Sequence, residues 1–373
     1  MIEISTEMLT IMMIGGILLG VLTGFHLGIV IGAVGLIFGY TVFGTMVFEL
    51  LYSRLFDLMN HYVLVAVPLF IFMGLMLERS GIADKMYDAL YLWLGGFRGG
   101  LAIITVLIGT IMATCVGIIA ASIAMLTLIG LPSMLKRGYS KSLASGSICA
   151  GGCLGILIPP SIMLVMYGPM AWISVGKLFM GAFGPGFVLS GLYISYIALR
   201  CLFQPEIAPP VPIEERRAPF IKKTAMVLTS LVPVSVLILS VLGVIFLGIA
   251  PPTEAADAGA FVSILMVIAY RRFNWQVLKD VTLHTLRLTA MITMIAGPCV
   301  AFVGVFIGAG CGEVVEAAIL AAPFGRWGAF AAVMLIIFIL GMFIDWIGII
   351  FIMIPIISPI VPALGFDPVW SNP

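Results

Sequence analysis

Charge is what this sequence has least of. Only 9% of its 373 residues are Asp, Glu, Lys or Arg, against 62% apolar, and the formal net charge is +1. So apolar a chain does not stay in water as a folded monomer, and a charge balance near zero argues against nucleic acid or an acidic partner. Histidine is scarce as well. His26, His61 and His284 lie far from one another and from Cys149 and Cys153, so no zinc spacing forms. There is no P-loop, which argues against direct use of ATP, and no HExxH, Ser-His or paired-Asp constellation for an intramembrane enzyme. The alternation of an outer-membrane barrel is missing too. Met1 to Glu7 holds two glutamates and no base before apolar sequence that runs to Tyr40, the pattern of a retained first helix. What remains is an all-α polytopic membrane protein.

The central stretch is Ser142 to Gly168, apolar enough to cross a membrane but dense in helix breakers. Gly146, Gly151, Gly152 and Gly155 weaken a continuous helix, and Pro159 and Pro160 remove two backbone donors. Backbone freed at membrane depth must be buried in protein or line a watery cavity. A helix broken near the midplane is therefore expected here, with Ser145, Ser147 and Ser161 beside it.

In chain order, Met8 to Tyr40 divides at Thr23-Gly24-Phe25-His26 into two helices. Val47 to Asn60 and Ile82 to Arg98 mix charges with aromatics, as interfacial amphipathic arms do, and flank a span from Tyr62 to Leu77. Leu101 to Leu135 carries no charge and has Arg98 before it and Lys136 and Arg137 after it. It falls short of the roughly 40 apolar residues two crossings need and far exceeds one, so a re-entrant hairpin with its tip at Cys115 to Ser122 is expected, with two tight crossings as the alternative. Leu178 to Leu202 returns, Gln204 to Lys223 is a cytoplasmic connector bearing Arg216 and Arg217, and Ala225 to Leu247 leads to a turn at Pro251 to Asp257. There Thr253 is read as the cap of the next helix, with Glu254 and Asp257 at its positive end. Phe261 to Tyr270 returns and Val281 to Gly310 leaves again. All of the eighteen bases except Arg54, Lys177, Arg287 and Arg326 then fall on the cytoplasmic side, with the N-terminus outside.

Trp327 to Leu364 is a second long apolar run whose single charge is Asp345. It ends in Pro359, five residues, then Gly365-Phe366-Asp367, against Pro132, five residues, then Gly138-Tyr139-Ser140 for the first hairpin. The two enter from opposite faces, which is an inverted repeat. Asp345 is expected to face a cavity or an ion, to cap the hairpin's second helix, or both.

Assembled, the chain resembles the large membrane subunit of TRAP (tripartite ATP-independent periplasmic) transporters. The resemblance rests on VPLFIFMG (Val67 to Gly74), KRGYSKSLASGSICAGGCLGILIPPSI (Lys136 to Ile162), GIAPPTEAA (Gly248 to Ala256) and Leu340 to Trp370. It implies an elevator fold with two re-entrant hairpins and a broken helix, and sodium-driven uptake of an organic anion such as a carboxylate or sugar acid. It also implies two partners, a periplasmic binding protein and a small four-helix membrane subunit, no cofactor beyond the coupling sodium, and an inner-membrane location. On this basis 1–98 are scaffold helices and an arm, 99–177 the first hairpin and broken helix, 178–310 connecting helices, and 311–373 the second hairpin. Substrate is expected at Gly151, Gly152, Pro159, Pro160, Ser161 and Asp345. The family's Ser-Gly-Ser-Ser tip is here Val116-Gly117-Ile118-Ile119, so sodium is expected at Gly117, Thr114, Ser122 and Ser147. The resemblance also implies a second broken helix after the second hairpin. The chain ends at Trp370-Ser371-Asn372-Pro373 instead, which is read as a truncated product or one completed by another chain. Two other readings stay open at this point: a dicarboxylate permease that needs no binding protein, and an inactive membrane scaffold.

Overall fold

The computed structural model describes residues 5–117, 119–212, 214, 219–323 and 325–367. The described residues form helices and no strand. From the N-terminus come α1 (Thr6–Leu22), α2 (Leu27–Phe43), α3 (Met46–Met59), α4 (Ala66–Arg79) and α5 (Ile82–Leu94). Then follow α6 (Gly100–Val116), α7 (Ile119–Lys136), α8 (Lys141–Cys153), α9 (Ile162–Ala171) and α10 (Val175–Phe203). A helix α11 (Phe220–Ile238) passes through a π turn into α12 (Val244–Phe246), followed by α13 (Pro252–Ala269) and α14 (Trp275–Gly308). The chain closes with α15 (Cys311–Leu320), α16 (Gly325–Leu340), α17 (Trp346–Ile357) and α18 (Ile360–Ala363). Among the described residues six helical segments are long and apolar enough to cross a membrane.

The first two helices part at the predicted place because Gly24 adopts φ +80, which ends α1. One expectation fails locally. Pro251 to Asp257 is the start of α13 and no turn: Pro251 holds the cap position and Pro252 the first helical position, where its missing N–H is no loss. Thr253 lies inside that helix, buried, with an unpaired hydroxyl, and caps nothing. Only Glu254 takes the expected place in the first turn. Arg216, Arg217 and 368–373 lie outside the described residues.

The chain forms two compact units. One holds Met1–Tyr62, Met166–Ser174 and Leu288–Pro373. Within it α2 lies along α14 through a seam of small residues. A Cβ on Gly28 would meet the Met294 carbonyl, one on Gly32 would stand 3.3 Å from Pro298, and one on Gly35 would stand 3.1 Å from Phe302. Such seams allow the close approach on which helix association in lipid depends. The contacts climb both helices together, so α2 and α14 run parallel, as the charge-based tracing, which takes both outward, requires. The second hairpin, α16 and α17, belongs to this unit. Asp345 is the N-cap of α17.

The other unit holds Val63–Val165 and Val175–Arg287. Here α4 packs on α13, with Met76, Val267 and Val281 fully buried at their centre. The first hairpin, α6 and α7, closes on α8 from two sides.

Candidate functional site: the first hairpin and the broken helix

The hairpin turns at Gly117, whose φ of +63 a side chain would resist. A Cβ there would stand 3.2 Å from the Ile162 side chain, so the tip rests on the first residue of α9. The break itself runs from the end of α8 to Ile162. A 3-10 turn covers Leu154–Ile156, and Ile158 still donates to the Leu154 carbonyl at 3.1 Å. After it comes the cis Pro159-Pro160 bond. Ser161 is fully buried and its hydroxyl donates to the Ile156 carbonyl at 2.5 Å, satisfying one of the groups the prolines free.

The glycines do something other than break the helix. Gly146, Gly151 and Gly152 all lie inside α8, and Gly155 is in the 3-10 turn. A Cβ on Gly109 of α6 would stand 2.7 Å from the Gly151 backbone, and one on Gly152 would strike Ile123 of α7. The prolines open the break; Gly151 and Gly152 let α8 sink between the two arms of the hairpin.

Ser122 stands one turn past the tip, 1% exposed, its hydroxyl without a partner. Ser147 is not brought to it. With Gly152 level with Ile123, Ser147 is five residues, about 7.5 Å, further along α8. Its hydroxyl donates to the Ala144 carbonyl at 2.9 Å and faces Met134. Ser147 instead borders a cavity of about 490 Å³ that Arg200 and Tyr193 also line, a setting that repels a cation. The Thr114 side chain lies outside the described part of the structure. Asp345 belongs to the other unit, on the second hairpin, where it is exposed and accepts from the Ile347 N–H at 3.4 Å. Tyr167 of α9 was not foreseen: it is 1% exposed with an unpaired hydroxyl, and nothing in its apolar surroundings in the sequence signals it.

A polytopic helical protein with a hairpin closed on a broken helix is built as a membrane transporter. Residues 10–372 match the family model described as "Tripartite ATP-independent periplasmic transporter, DctM component", and the chain belongs to that family. It is 31% identical to the C4-dicarboxylate TRAP transporter large permease protein DctM of Pseudomonas aeruginosa over 319 residues, 85% of this chain and 73% of that one. It is 30% identical to the ectoine/5-hydroxyectoine TRAP transporter large permease protein UehC of Ruegeria pomeroyi, over 82% of this chain and 70% of that one. In fold it is similar to the Alcanivorax borkumensis YdaH transporter, with a TM-score of 0.61 and 16% identity over 88% of this chain and 75% of that one. The protein is thus a multi-pass inner-membrane transport permease and no enzyme.

Proposed function

We propose that the chain imports an organic anion, a carboxylate or sugar acid, against its gradient by coupling to sodium. A periplasmic binding protein delivers the substrate, a small four-helix membrane subunit braces the permease, and the hairpins and broken helix move as an elevator. Dicarboxylate and ectoine relatives support a small polar acid as substrate. Substrate sits at the break, at Pro159, Pro160 and Ser161; Gly151 and Gly152 support it through the close packing of α8 in the hairpin.

The observation that carries the sodium reading is Ser122. A buried hydroxyl without a partner costs about 1–3 kcal/mol, and a monovalent cation beside it removes that cost without a buried carboxylate. Carbonyls at the Gly117 turn and the ends of the broken helix supply the remaining hard oxygen ligands. Ser147 drops out of the ligand set, since it lies about 7.5 Å along α8 from the level of Ile123, the neighbour of Ser122. Binding there stiffens the tip and favours the substrate-ready state, which is how an ion gradient couples to uptake.

The test is uptake by proteoliposomes holding the permease, its small subunit and its binding protein. An inward sodium gradient should drive accumulation of labelled substrate. Accumulation driven equally well by a proton gradient in sodium-free buffer overturns the coupling.

A further inference from the structure

A second cavity, of about 640 Å³ and mostly apolar, lies within the unit that holds the second hairpin. Its volume is that of a small-molecule site. Three helices bring matching stripes to it. From α3 come Arg54 and Asp57, three residues apart on one helix face, and His61 follows two residues past the helix's end. From α14 come Gly304 and Ile307, and from α17 Pro355. The end of α9 closes the wall.

Arg54 gives the cavity its chemistry. It is one of the four bases that the charge-based tracing does not place on the cytoplasmic side, and its side chain lies across α14 at Gly304. A Cβ at 304 would stand 2.9 Å from Arg54 Cγ and 3.1 Å from Nε, so glycine makes room for the guanidinium arm. No ion pair or hydrogen bond engages that guanidinium among the described residues. Asp57 shares the wall without pairing with it. His61 keeps a buried Nδ1 with no partner in the same wall. An always-charged planar fork and a spare imidazole nitrogen, in a mostly apolar cavity, suit a carboxylate.

We propose that this cavity is a separate anion site that takes a small carboxylate on Arg54, with His61 as second partner and Asp57 in the same wall. The proposal does not rest on sodium coupling. The site would hold substrate before or after its passage through the break.

Thiol labelling tests this on the purified full chain in lipid nanodiscs, where both faces are open to reagent. Ile307, 45% exposed in the cavity wall, is replaced by cysteine in a chain whose native cysteines are alanine. Labelling rates are compared for an anionic (sulfonatoethyl) and a cationic (trimethylammonioethyl) methanethiosulfonate, each normalised to a free thiol. The anionic reagent should be favoured, and Arg54→Gln should lower the anionic-to-cationic ratio about fivefold, the size expected for removing one nearby charge partly screened by water. Arg54→Lys should keep most of the ratio, which separates charge from loss of fold. Millimolar succinate should slow labelling in the parent and leave Arg54→Gln unaffected. A ratio indifferent to Arg54→Gln, no protection by succinate, or a cysteine at 307 that neither reagent reaches would each overturn the proposal. None of these outcomes depends on transport, so failure here leaves the sodium reading standing.

Discussion

Gly109→Ala and Gly146→Ala are the same chemical change made inside two neighbouring apolar helices, and the structure assigns them different outcomes. At 109 the new methyl would sit 2.7 Å from the Cα and carbonyl of Gly151, which is backbone and cannot turn aside. Ordinary contact begins near 3.4 Å, so α6 and α8 must separate by several tenths of an ångström along their crossing. Overpacking of this kind costs about 1–3 kcal/mol, and the helix preference of alanine over glycine returns at most about 1 kcal/mol. The net expectation is a loss of about 1 kcal/mol, larger for Gly109→Val. At 146 nothing lies within 4 Å, so only the propensity gain remains, and the change is neutral to stabilising. Reversible unfolding of the purified chain in mixed SDS and mild-detergent micelles, followed by helicity, measures both. Equal shifts for the two variants, or a Gly109→Ala chain more stable than its parent, would refute the packing argument for the α8 glycines.

Ser122→Ala should stabilise the chain in sodium-free buffer, since it deletes an unsatisfied buried hydroxyl, and should shrink the rise in melting temperature that sodium brings; an unchanged sodium response removes Ser122 from the site. Tyr139, in the loop before α8, has its phenol pushed up to about 12 by burial while its oxygen accepts the Leu101 N–H at 3.2 Å. The unfolded chain loses that proton first, near the ordinary 10.0, so this contribution is complete below pH 10 and falls away between about pH 10 and 12. Tyr139→Phe should flatten that alkaline loss and lower stability at pH 7 by about 0.5–1.5 kcal/mol, read from unfolding curves at several pH values. Gly138→Ala and Gly365→Ala should each cost about 1–2 kcal/mol, because both positions have left-handed φ (77 and 76) with open space around them; markedly unequal losses would count against equivalence of the two hairpin ends.

The parts of the fold readable in advance were those decided within a few residues. Thr23-Gly24 ends α1 by its own geometry, and Gly117 turns the hairpin where the uncharged run had to double back. Pro159 and Pro160 break the helix whatever surrounds them. The misreadings share a cause, which is that glycine and proline have two meanings. Gly151 and Gly152 look like breakers, yet their purpose depends on Gly109 and Ile123, which only the fold brings to them. Pro251-Pro252 looks like a stop and is a start, because the first helical position needs no N–H. Ser147 fails as a partner of Ser122 through register along α8, which spacing in sequence cannot express. Arg54 and Asp57 were visible as part of an amphipathic arm. What it faces is set by α14 and α17, hundreds of residues away.

The repeat is best supported by how its two hairpins stop. After α7, Gly138 N–H bonds the Leu135 carbonyl and Tyr139 N–H reaches back to Met134, both at 3.1 Å. After α18, Gly365 N–H bonds Pro362 at 2.9 Å and Phe366 N–H reaches back to Val361 at 3.3 Å. These are the paired bonds of a Schellman end, each closing over a left-handed glycine and each followed by an aromatic residue. A shared proline-to-glycine spacing could arise by chance. The same capping geometry at the same offset is harder to reach by accident, because it fixes two hydrogen bonds and a φ sign together. Beyond the first end the chain runs straight into α8 and the break, so the capped glycine sets where the broken helix begins relative to its hairpin. Moving Gly138 by one residue would rotate Gly151 and Gly152 of α8 by about 100° out of the hairpin and put side chains where backbone now meets backbone. The register of the candidate site is thus fixed at the surface, before the membrane is entered.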